Sequence, residues 1–221
     1  MDDSAVEPFV DRRAAGRELA EHLSDYAGSD DVVVLGLPRG GVPVAYEVAR
    51  ALGAPLDMLI VRKLGVPGHE ELAMGAIASG GVEVHNDQVI ADARVDDEML
   101  AAVVGHERAE LERRERTYRG DRKPIDVAGR TALVVDDGLA TGATMRAAVA
   151  ALRERGAAVI VVAVPIAAPA VCTEMGATVD EIVCVRTPDP FVAIGLWYRD
   201  FEPTSDAEVR RLIEAAAKPD P

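Results

Sequence analysis

Residues 134–145, VVDDGLATGATM, place two carboxylates at the end of an apolar run and follow them with a loop of small and hydroxyl-bearing residues. The run 131–137 is short, β-branched and without polar alternation, which predicts a strand buried on both faces. The alanine-rich stretch 143–156 has helical periodicity and ends at a glycine, which predicts a helix. A buried strand, a tight turn and a helix in succession are typical of a parallel α/β sheet.

The same alternation extends along most of the chain. Apolar runs without polar alternation predict further strands at 31–38, 55–63, 157–167 and 181–188. Helical patterns predict further helices at 9–28, 42–53, 169–176 and 206–217. The fold class is therefore predicted as α/β, with a doubly wound and mainly parallel sheet. A hairpin at 75–85 and a long charged helix at 96–120 interrupt the alternation, so we expect both to lie outside the sheet.

The domain organisation follows from this pattern. We expect a single domain over residues 1–221, with a core at about 31–188, an excursion that carries a lid at about 64–120, and a C-terminal hood at 189–221. A chain of 221 residues with 49% hydrophobic content can bury a full core.

Composition narrows the functional classes. The net charge of −14 argues against a nucleic-acid surface or a patch for anionic membranes. No apolar run approaches the ~18 residues of a membrane helix, and the acidic N-terminus is unlike a signal peptide. Cys172 and Cys184 lie in apolar surroundings, which favours free thiols in a reducing cytoplasm, with a disulfide as the alternative. The sequence thus predicts a cytoplasmic protein without nucleic-acid or membrane partners.

The loop after the strand at 131–137 has the chemistry of an anion site. Parallel α/β sheets bind ligands at the carboxyl ends of their strands, where Asp136 and Asp137 emerge. Small residues at 138–144 let backbone N–H groups point at a phosphate, which the helix N-terminus also attracts. Adjacent carboxylates would repel that phosphate, but they accept hydrogen bonds from vicinal hydroxyls or hold magnesium. The combination describes a ribose 5-phosphate site; the alternative is that the acids cap the helix and the glycines only turn the chain.

The string LVVDDGLATGATM resembles the signature with which type I phosphoribosyltransferases bind 5-phosphoribosyl 1-pyrophosphate (PRPP). That signature is two acids, a spacer, threonine, glycine, any residue and threonine, after hydrophobic residues. The resemblance implies that Asp136 and Asp137 bind the ribose hydroxyls and magnesium. It also implies a 5-phosphate cradle formed by Gly138, Ala140, Thr141, Gly142, Ala143 and Thr144.

A second loop extends the resemblance. LGLPRGGVP, at 35–43, is similar to the pyrophosphate loop of the same family. Arg39 and the backbone of Gly40 and Gly41 would then face the diphosphate. Such loops often carry a non-proline cis peptide, which small neighbours tolerate. The alternative for the two glycines is an ordinary turn into a helix.

The segment VRKLGVPGHEELAMGA, at 61–76, resembles adenine-type members of the family, in which an arginine–lysine pair opens a mobile catalytic loop. Arg62 and Lys63 would stabilise the leaving diphosphate; the alternative is a solvated pair at a strand end. The lid acid of that pattern is an alanine in this chain, so Glu71 is the neighbouring candidate for the catalytic acid or base.

The tail PFVAIGLWYRDF, at 190–201, resembles the region that closes over the base in hypoxanthine-type relatives. Phe191 would then stack on an aromatic acceptor. The alternative is that Phe191, Trp197 and Tyr198 seal the edge of the sheet.

Three functions fit these residues. The first is a phosphoribosyltransferase that uses PRPP and magnesium, transfers phosphoribose to a nitrogenous acceptor, for which we expect a nucleobase, and releases pyrophosphate. The second is a non-catalytic regulatory protein that binds PRPP, which the missing lid acid favours. The third is a related transferase or hydrolase that acts on another phosphosugar. The resemblance also implies a homodimer, because relatives are commonly dimers.

Overall fold

A sheet of five strands organises the structure, a computed structural model that describes residues 7–217. The strands in chain order are β1 (Val32–Gly36), β2 (Leu56–Met58), β3 (Val61–Val66), β4 (His69–Ala78), β5 (Val82–His85), β6 (Thr131–Val135), β7 (Val159–Ile166) and β8 (Glu181–Arg186). The α-helices are α1 (Arg12–Glu21), α2 (Gly41–Leu52), α3 (Asp87–Asp92), α4 (Asp97–Arg119), α5 (Ala143–Glu154), α6 (Pro169–Gly176) and α7 (Asp206–Ala216). Short 3-10 helices lie at Ser24–Tyr26 and Ile194–Trp197.

The strand order of the central sheet is β2-β1-β6-β7-β8, and each neighbouring pair is parallel. The chain first adds β2 on one side of β1 and later adds β6 on the other side. The direction of winding therefore reverses between β1 and β6, which creates a crevice between the loops that leave them. Gly36, the last residue of β1, is in register with Val135, the last residue of β6. The two loops consequently start side by side.

Both faces of the sheet are covered, which explains why its strands lack polar alternation. Val32 and Val34 of β1 belong to one core, which includes residues of α2 and α7. Val33 and Leu35 belong to a second core on the opposite face, which includes residues of α5. The predicted α/β class with a doubly wound, mainly parallel sheet is confirmed.

The predicted strand at 55–63 is in fact two strands that serve two sheets. β2 ends at Met58, where it pairs with β1, and β3 begins at Val61 and pairs antiparallel with β4. At the junction, Ile60 exchanges backbone and side-chain hydrogen bonds with Ser79, which follows β4. Hydrophobic periodicity is the same on both sides of this junction, so it could not show the change of partner.

The predicted hairpin at 75–85 is confirmed as β4 and β5, but it is part of a larger unit. β3, β4 and β5 form a separate three-stranded antiparallel sheet. Much of the segment at 61–76, which by resemblance was expected to open a mobile loop, is therefore strand. A side chain at Gly65 would come within 2.8 Å of the Glu70 carbonyl oxygen, so this glycine allows close approach of β4 at a bulge. The division into core, lid and hood remains a prediction.

The long helix α4 returns the excursion to the sheet. Its last residue, Arg119, is buried and lies 3.1 Å from the buried carboxylate of Asp57 in β2. Asp57 also accepts a hydrogen bond from the backbone of Ile125. These contacts fix the position of α4 relative to the central sheet, because separating the partners of a buried charge pair strongly destabilises the fold.

The two cysteines are not free thiols, so that prediction is wrong and its alternative holds. Cys172 of α6 and Cys184 of β8 form a disulfide, with their Cα atoms 6.8 Å apart. The physical reason is that α6 packs back onto β8, which brings residues from a helix and a following strand face to face. Among residues 7–217, none of the helices is long and apolar enough to cross a bilayer.

Candidate functional site

The two loops that leave β1 and β6 touch each other at the crevice. The backbone N–H of Leu37 donates to the carbonyl oxygen of Val135 at 2.9 Å. A side-chain carbon on Gly40 would lie 2.6 Å from Cγ of Asp137, and one on Gly41 would lie 2.6 Å from the Val135 oxygen. Gly41 therefore allows the close approach of the two loop backbones and Gly40 leaves room for the Asp137 carboxylate, so neither glycine serves only for a turn into α2. The structure thus brings the predicted pyrophosphate loop and the predicted acid pair together.

The acid pair is held by hydrogen bonds on one side of each carboxylate. Asp136 Oδ1 accepts from the backbone N–H of Asp137 at 2.9 Å, and Asp137 Oδ2 accepts from Nε of Arg12 at 2.7 Å. The Tyr198 hydroxyl donates to the backbone oxygen of Asp137 at 2.6 Å. Burial, and next the charge of Asp137, raise the pKa of Asp136 well above its ordinary value. Asp137 is therefore fixed in an ion pair with Arg12, whereas Asp136 is an acid removed from solvent.

Arg12 is a site residue that the sequence analysis missed. It is the first residue of α1, and its guanidinium carbon lies 3.9 Å from the centroid of the Phe201 ring. Its Nη1 donates to the backbone oxygen of Glu202 at 2.8 Å. Arg12 and Asp137 are 125 positions apart, and no motif links them. The sequence therefore held no local signal for this contact.

The predicted phosphate cradle forms the turn into α5. Gly142 precedes the helix with φ +72°, a left-handed conformation that favours glycine. Leu139 anchors the turn, because its N–H donates to Ile166 and its carbonyl oxygen accepts from Ala168, both at 2.9 Å. The other predicted cradle residues Ala140, Thr141, Ala143 and Thr144 are exposed. An open, anchored turn at a helix N-terminus can accept a phosphate.

The predicted pyrophosphate loop has the expected backbone, since the peptide bond between Pro38 and Arg39 is cis. The side chain of Arg39 is half-exposed, and its Nη1 lies 3.4 Å from Oδ1 of Asp206, the first residue of α7. The Tyr118 hydroxyl donates to the same oxygen at 3.0 Å. Arg39 is thus at the crevice loop, with its guanidinium turned toward α7.

The predicted catalytic residues lie together, but in a cavity separate from the crevice. Arg62 is paired with Glu107 of α4 at 2.6 Å, and Lys63 Nζ lies 3.7 Å from a carboxylate oxygen of the fully exposed Glu71. Arg62, Lys63 and Glu71 line a cavity of about 900 Å³ between the β3–β4 hairpin and α4. Among the described residues that line this cavity, none belongs to the acid pair or to the phosphate cradle. The structure therefore groups these three residues, but not with the crevice.

Phe191 is half-buried beside a small aromatic cluster that includes Phe9 and Tyr198. The neighbouring 3-10 helix brings Ile194 so close to Gly138 that a side-chain carbon there would lie 2.7 Å from Cγ2 of Ile194. Gly138 therefore lets the C-terminal segment pack on the motif. This placement puts Phe191 in the segment next to the crevice, and its contact with an acceptor remains a prediction.

The residues present offer magnesium a partial set of ligands, which a bound diphosphate would complete. Within residues 7–217, no group of three or more histidine, cysteine, aspartate or glutamate side chains is placed to hold a metal ion. Magnesium is commonly bound through one or two carboxylates together with water and substrate phosphates. Asp136 and Asp137 supply that partial set of oxygens, and a diphosphate would complete it.

Comparison with known proteins identifies the family of this chain. The chain matches a family model described as a phosphoribosyl transferase domain over residues 9–192. Two Mycobacterium tuberculosis proteins, named provisionally as phosphoribosyl transferases, are 49% identical over 208 residues, which cover 94% of this chain and 47% of each relative. A ribose-phosphate pyrophosphokinase of Methanopyrus kandleri is 32% identical over 190 residues, which cover 83% of this chain and 47% of that protein. The chain spans about half the length of the curated relatives it matches.

A solved structure covers the whole fold. The crystal structure of TT1426 from Thermus thermophilus superposes with a TM-score of 0.85 and 41% sequence identity, and the match covers 96% of this chain and 100% of that one. The family match includes both crevice loops and the β3–β4 hairpin. This chain therefore belongs to the phosphoribosyl transferase domain family.

Proposed function

We propose that this protein binds PRPP with magnesium and transfers its phosphoribosyl group to a nitrogenous acceptor, releasing pyrophosphate. The observation that carries the proposal is the contact of Asp137 with Gly40 at the reversal point of the sheet. One loop offers carboxylates for a sugar diol and a cradle for a phosphate, while the other offers glycine N–H groups for a diphosphate. A ribose with a diphosphate on C1 and a phosphate on C5 has all three groups.

In the proposed reaction, the bond between ribose C1 and the diphosphate oxygen breaks, and a bond between C1 and the acceptor nitrogen forms. Negative charge builds on the leaving diphosphate, where preorganised donors are most effective. Magnesium, when bound, would neutralise part of that charge. Asp136 and Asp137 would hold the ribose hydroxyls while the turn into α5 holds the 5-phosphate. Fixing the sugar at both ends would hold C1 in position for the acceptor.

We assign Arg62 and Lys63 to the leaving diphosphate and Glu71 to the acceptor proton. In the structure Arg62 is paired with Glu107, and Lys63 lies near Glu71, in the cavity beside α4. Their proposed roles therefore require the β3–β4 hairpin to move toward the crevice when PRPP binds. Closure of such a segment would also exclude water, which otherwise hydrolyses the sugar diphosphate.

A nucleobase is the acceptor that we propose, because a flat ring would stack on Phe191 in the C-terminal segment that packs on Gly138. The homodimer, the cytoplasmic location and the lack of nucleic-acid partners remain predictions from the sequence and the family resemblance.

The second candidate function is a non-catalytic regulatory protein that binds PRPP. The observation that favours it is the position of Glu71, which is fully exposed on the hairpin rather than directed into the crevice. A sensor needs the acid pair and the phosphate cradle but needs no acid or base for an acceptor. Turnover therefore separates the two candidates, whereas PRPP binding is common to both.

The deciding experiment measures PRPP binding by calorimetry and pyrophosphate release with magnesium in the presence of adenine, hypoxanthine, guanine, xanthine, uracil or orotate. The double variant Asp136→Asn/Asp137→Asn is the control for both measurements. Base-dependent pyrophosphate release that the double variant lacks supports the transferase. Tight binding without release on any base supports the regulatory protein, and an absence of PRPP binding by the wild type contradicts both.

A further inference from the structure

The second carboxylate of the pair has unequal oxygens. Oδ2 of Asp137 accepts from Arg12 at 2.7 Å and also faces the backbone of Gly40, where even a methyl group would collide with it. Oδ1 lies further from that position, at 3.2 Å from where a side-chain carbon on Gly40 would be. Among residues 7–217, the N–H donor found on this carboxylate, Nε of Arg12, binds Oδ2. Oδ1 is therefore the oxygen that remains for a ligand.

Arg12 is itself fixed by three contacts. Its guanidinium carbon lies 3.9 Å from the centroid of the Phe201 ring, Nη1 donates to the backbone oxygen of Glu202 at 2.8 Å, and Nε donates to Asp137. Only 12% of its side chain is exposed, against 14% for Asp137. A planar guanidinium that is stacked and hydrogen-bonded has one orientation for Nε, so the carboxylate that it binds also has one orientation.

We propose that Arg12 is a positioning residue for ligand binding, which turns Oδ1 of Asp137 toward the ribose and offsets the charge of one of two adjacent carboxylates. The inference rests on the proposed function, because the ligand is PRPP. PRPP carries several negative charges, and an uncompensated pair of carboxylates would repel it. Arg12 lowers that repulsion without contacting the ligand. A free cation experiences the opposite effect, since Arg12 makes the pair less attractive to magnesium alone.

The opposite effects that we expect Arg12 to have on PRPP binding and on magnesium binding provide the test. We would measure binding of PRPP with magnesium, and of magnesium alone, by calorimetry on the full chain carrying Arg12→Gln, Arg12→Lys or Arg13→Gln. Arg13 is the matched control, because it is the next residue of α1 and pairs with Glu47 at 2.5 Å, outside the crevice. Thermal unfolding of each variant measures any loss of fold stability.

We expect Arg12→Gln to weaken PRPP binding about 10- to 100-fold, the usual effect of losing a hydrogen bond to a charged group. Magnesium alone should bind several-fold more tightly to Arg12→Gln, while Arg13→Gln should match the wild type in both measurements. Arg12→Lys should restore magnesium binding to the wild-type level, because it keeps the charge, but only part of the PRPP affinity, because it loses the planar contact.

Two results would overturn the inference while leaving the proposed function intact. One is PRPP binding by Arg12→Gln equal to that of Arg13→Gln. The other is a parallel loss of PRPP and magnesium binding that follows a lower melting temperature, which would show that Arg12 only stabilises the fold. If the wild type itself fails to bind PRPP, the proposed function fails first.

Discussion

The carboxylate of Asp137 lies against the backbone of Gly40, so that a methyl group on this glycine would fall 2.6 Å from Cγ of Asp137. One residue belongs to the loop after β1 and the other to the loop after β6. This contact leaves no room for a side chain at position 40 while the Asp137 carboxylate keeps its place. The position of the Asp137 carboxylate therefore depends on a glycine at position 40.

We predict that Gly40→Ala strongly weakens PRPP binding, because the added methyl group would lie 2.0 Å from Oδ2 of Asp137 and must displace that carboxylate. Calorimetry and thermal unfolding provide the measurement. Gly105→Ala is the control, since a side chain there would meet nothing within 4 Å in the middle of α4. That control should keep PRPP affinity and gain about 0.5–1 kcal/mol in helix stability. Unchanged affinity in Gly40→Ala would contradict the assigned crevice.

The raised pKa of Asp136 gives a pH-dependent prediction for the ligand-free protein. Because the pKa of Asp136 is higher in the folded chain than in the unfolded chain, its protonated form favours the folded state. This contribution to the free energy of unfolding is complete below the ordinary aspartate pKa and is lost as the pH rises through the raised value. Asp136→Asn should therefore unfold at the same or a higher temperature than the wild type at neutral pH, although it loses PRPP binding. Melting curves from pH 4 to pH 8 should show the advantage of the variant growing with pH. A variant less stable than the wild type at pH 8 would show that folding does not raise the pKa of Asp136.

The phosphate cradle is tested by two substitutions of different kinds. Thr144→Val keeps the shape and removes a donor, and we expect a modest loss of PRPP affinity. Gly142→Val introduces a side chain at φ +72° and 3.0 Å from Val171, so the turn into α5 must change and the loss should be larger. Binding isotherms would measure both. Equal and small effects would place the 5-phosphate elsewhere.

The cations of the β3–β4 hairpin should affect turnover more than binding. If Arg62 and Lys63 act on the leaving diphosphate in the transition state, replacing either with alanine should lower kcat about 10²–10³-fold with a smaller change in PRPP affinity. Arg113→Ala on the exposed face of α4, where Arg113 pairs with Glu110 at 2.7 Å, should have no effect on either quantity. A loss of affinity alone would indicate that the hairpin binds PRPP without taking part in catalysis.

The disulfide between Cys172 and Cys184 should stabilise the fold near the phosphate cradle. The bridge closes a loop between residues 12 apart, for which chain-entropy arguments give about 3 kcal/mol. Denaturant unfolding of Cys172→Ala should show a loss of that order. Reducing agent should have the same effect on the wild type and none on the variant. Equal stability of the oxidised and reduced wild type would show that the bridge contributes nothing to folding.

The sequence by itself determined the alternation of buried strands and helices, and it placed the acid pair and its small-residue turn at a strand end. The class of the fold followed from these patterns because strand burial, helical periodicity and turn chemistry act over a few residues. For the same reason the hairpin at 75–85 and the helix at 96–120 were predicted outside the sheet, close to the observed β4, β5 and α4.

Only the tertiary structure decided which distant groups meet. It joined Arg12 to Asp137, bonded Cys172 to Cys184, and gave β3 to a second sheet although its apolar run continues from β2. Such contacts depend on how whole elements pack, and a local pattern carries no information about a partner more than a hundred residues away. The acid pair was therefore visible in the sequence, but the arginine that orients it became visible only when α1 and the C-terminal segment were packed beside the crevice.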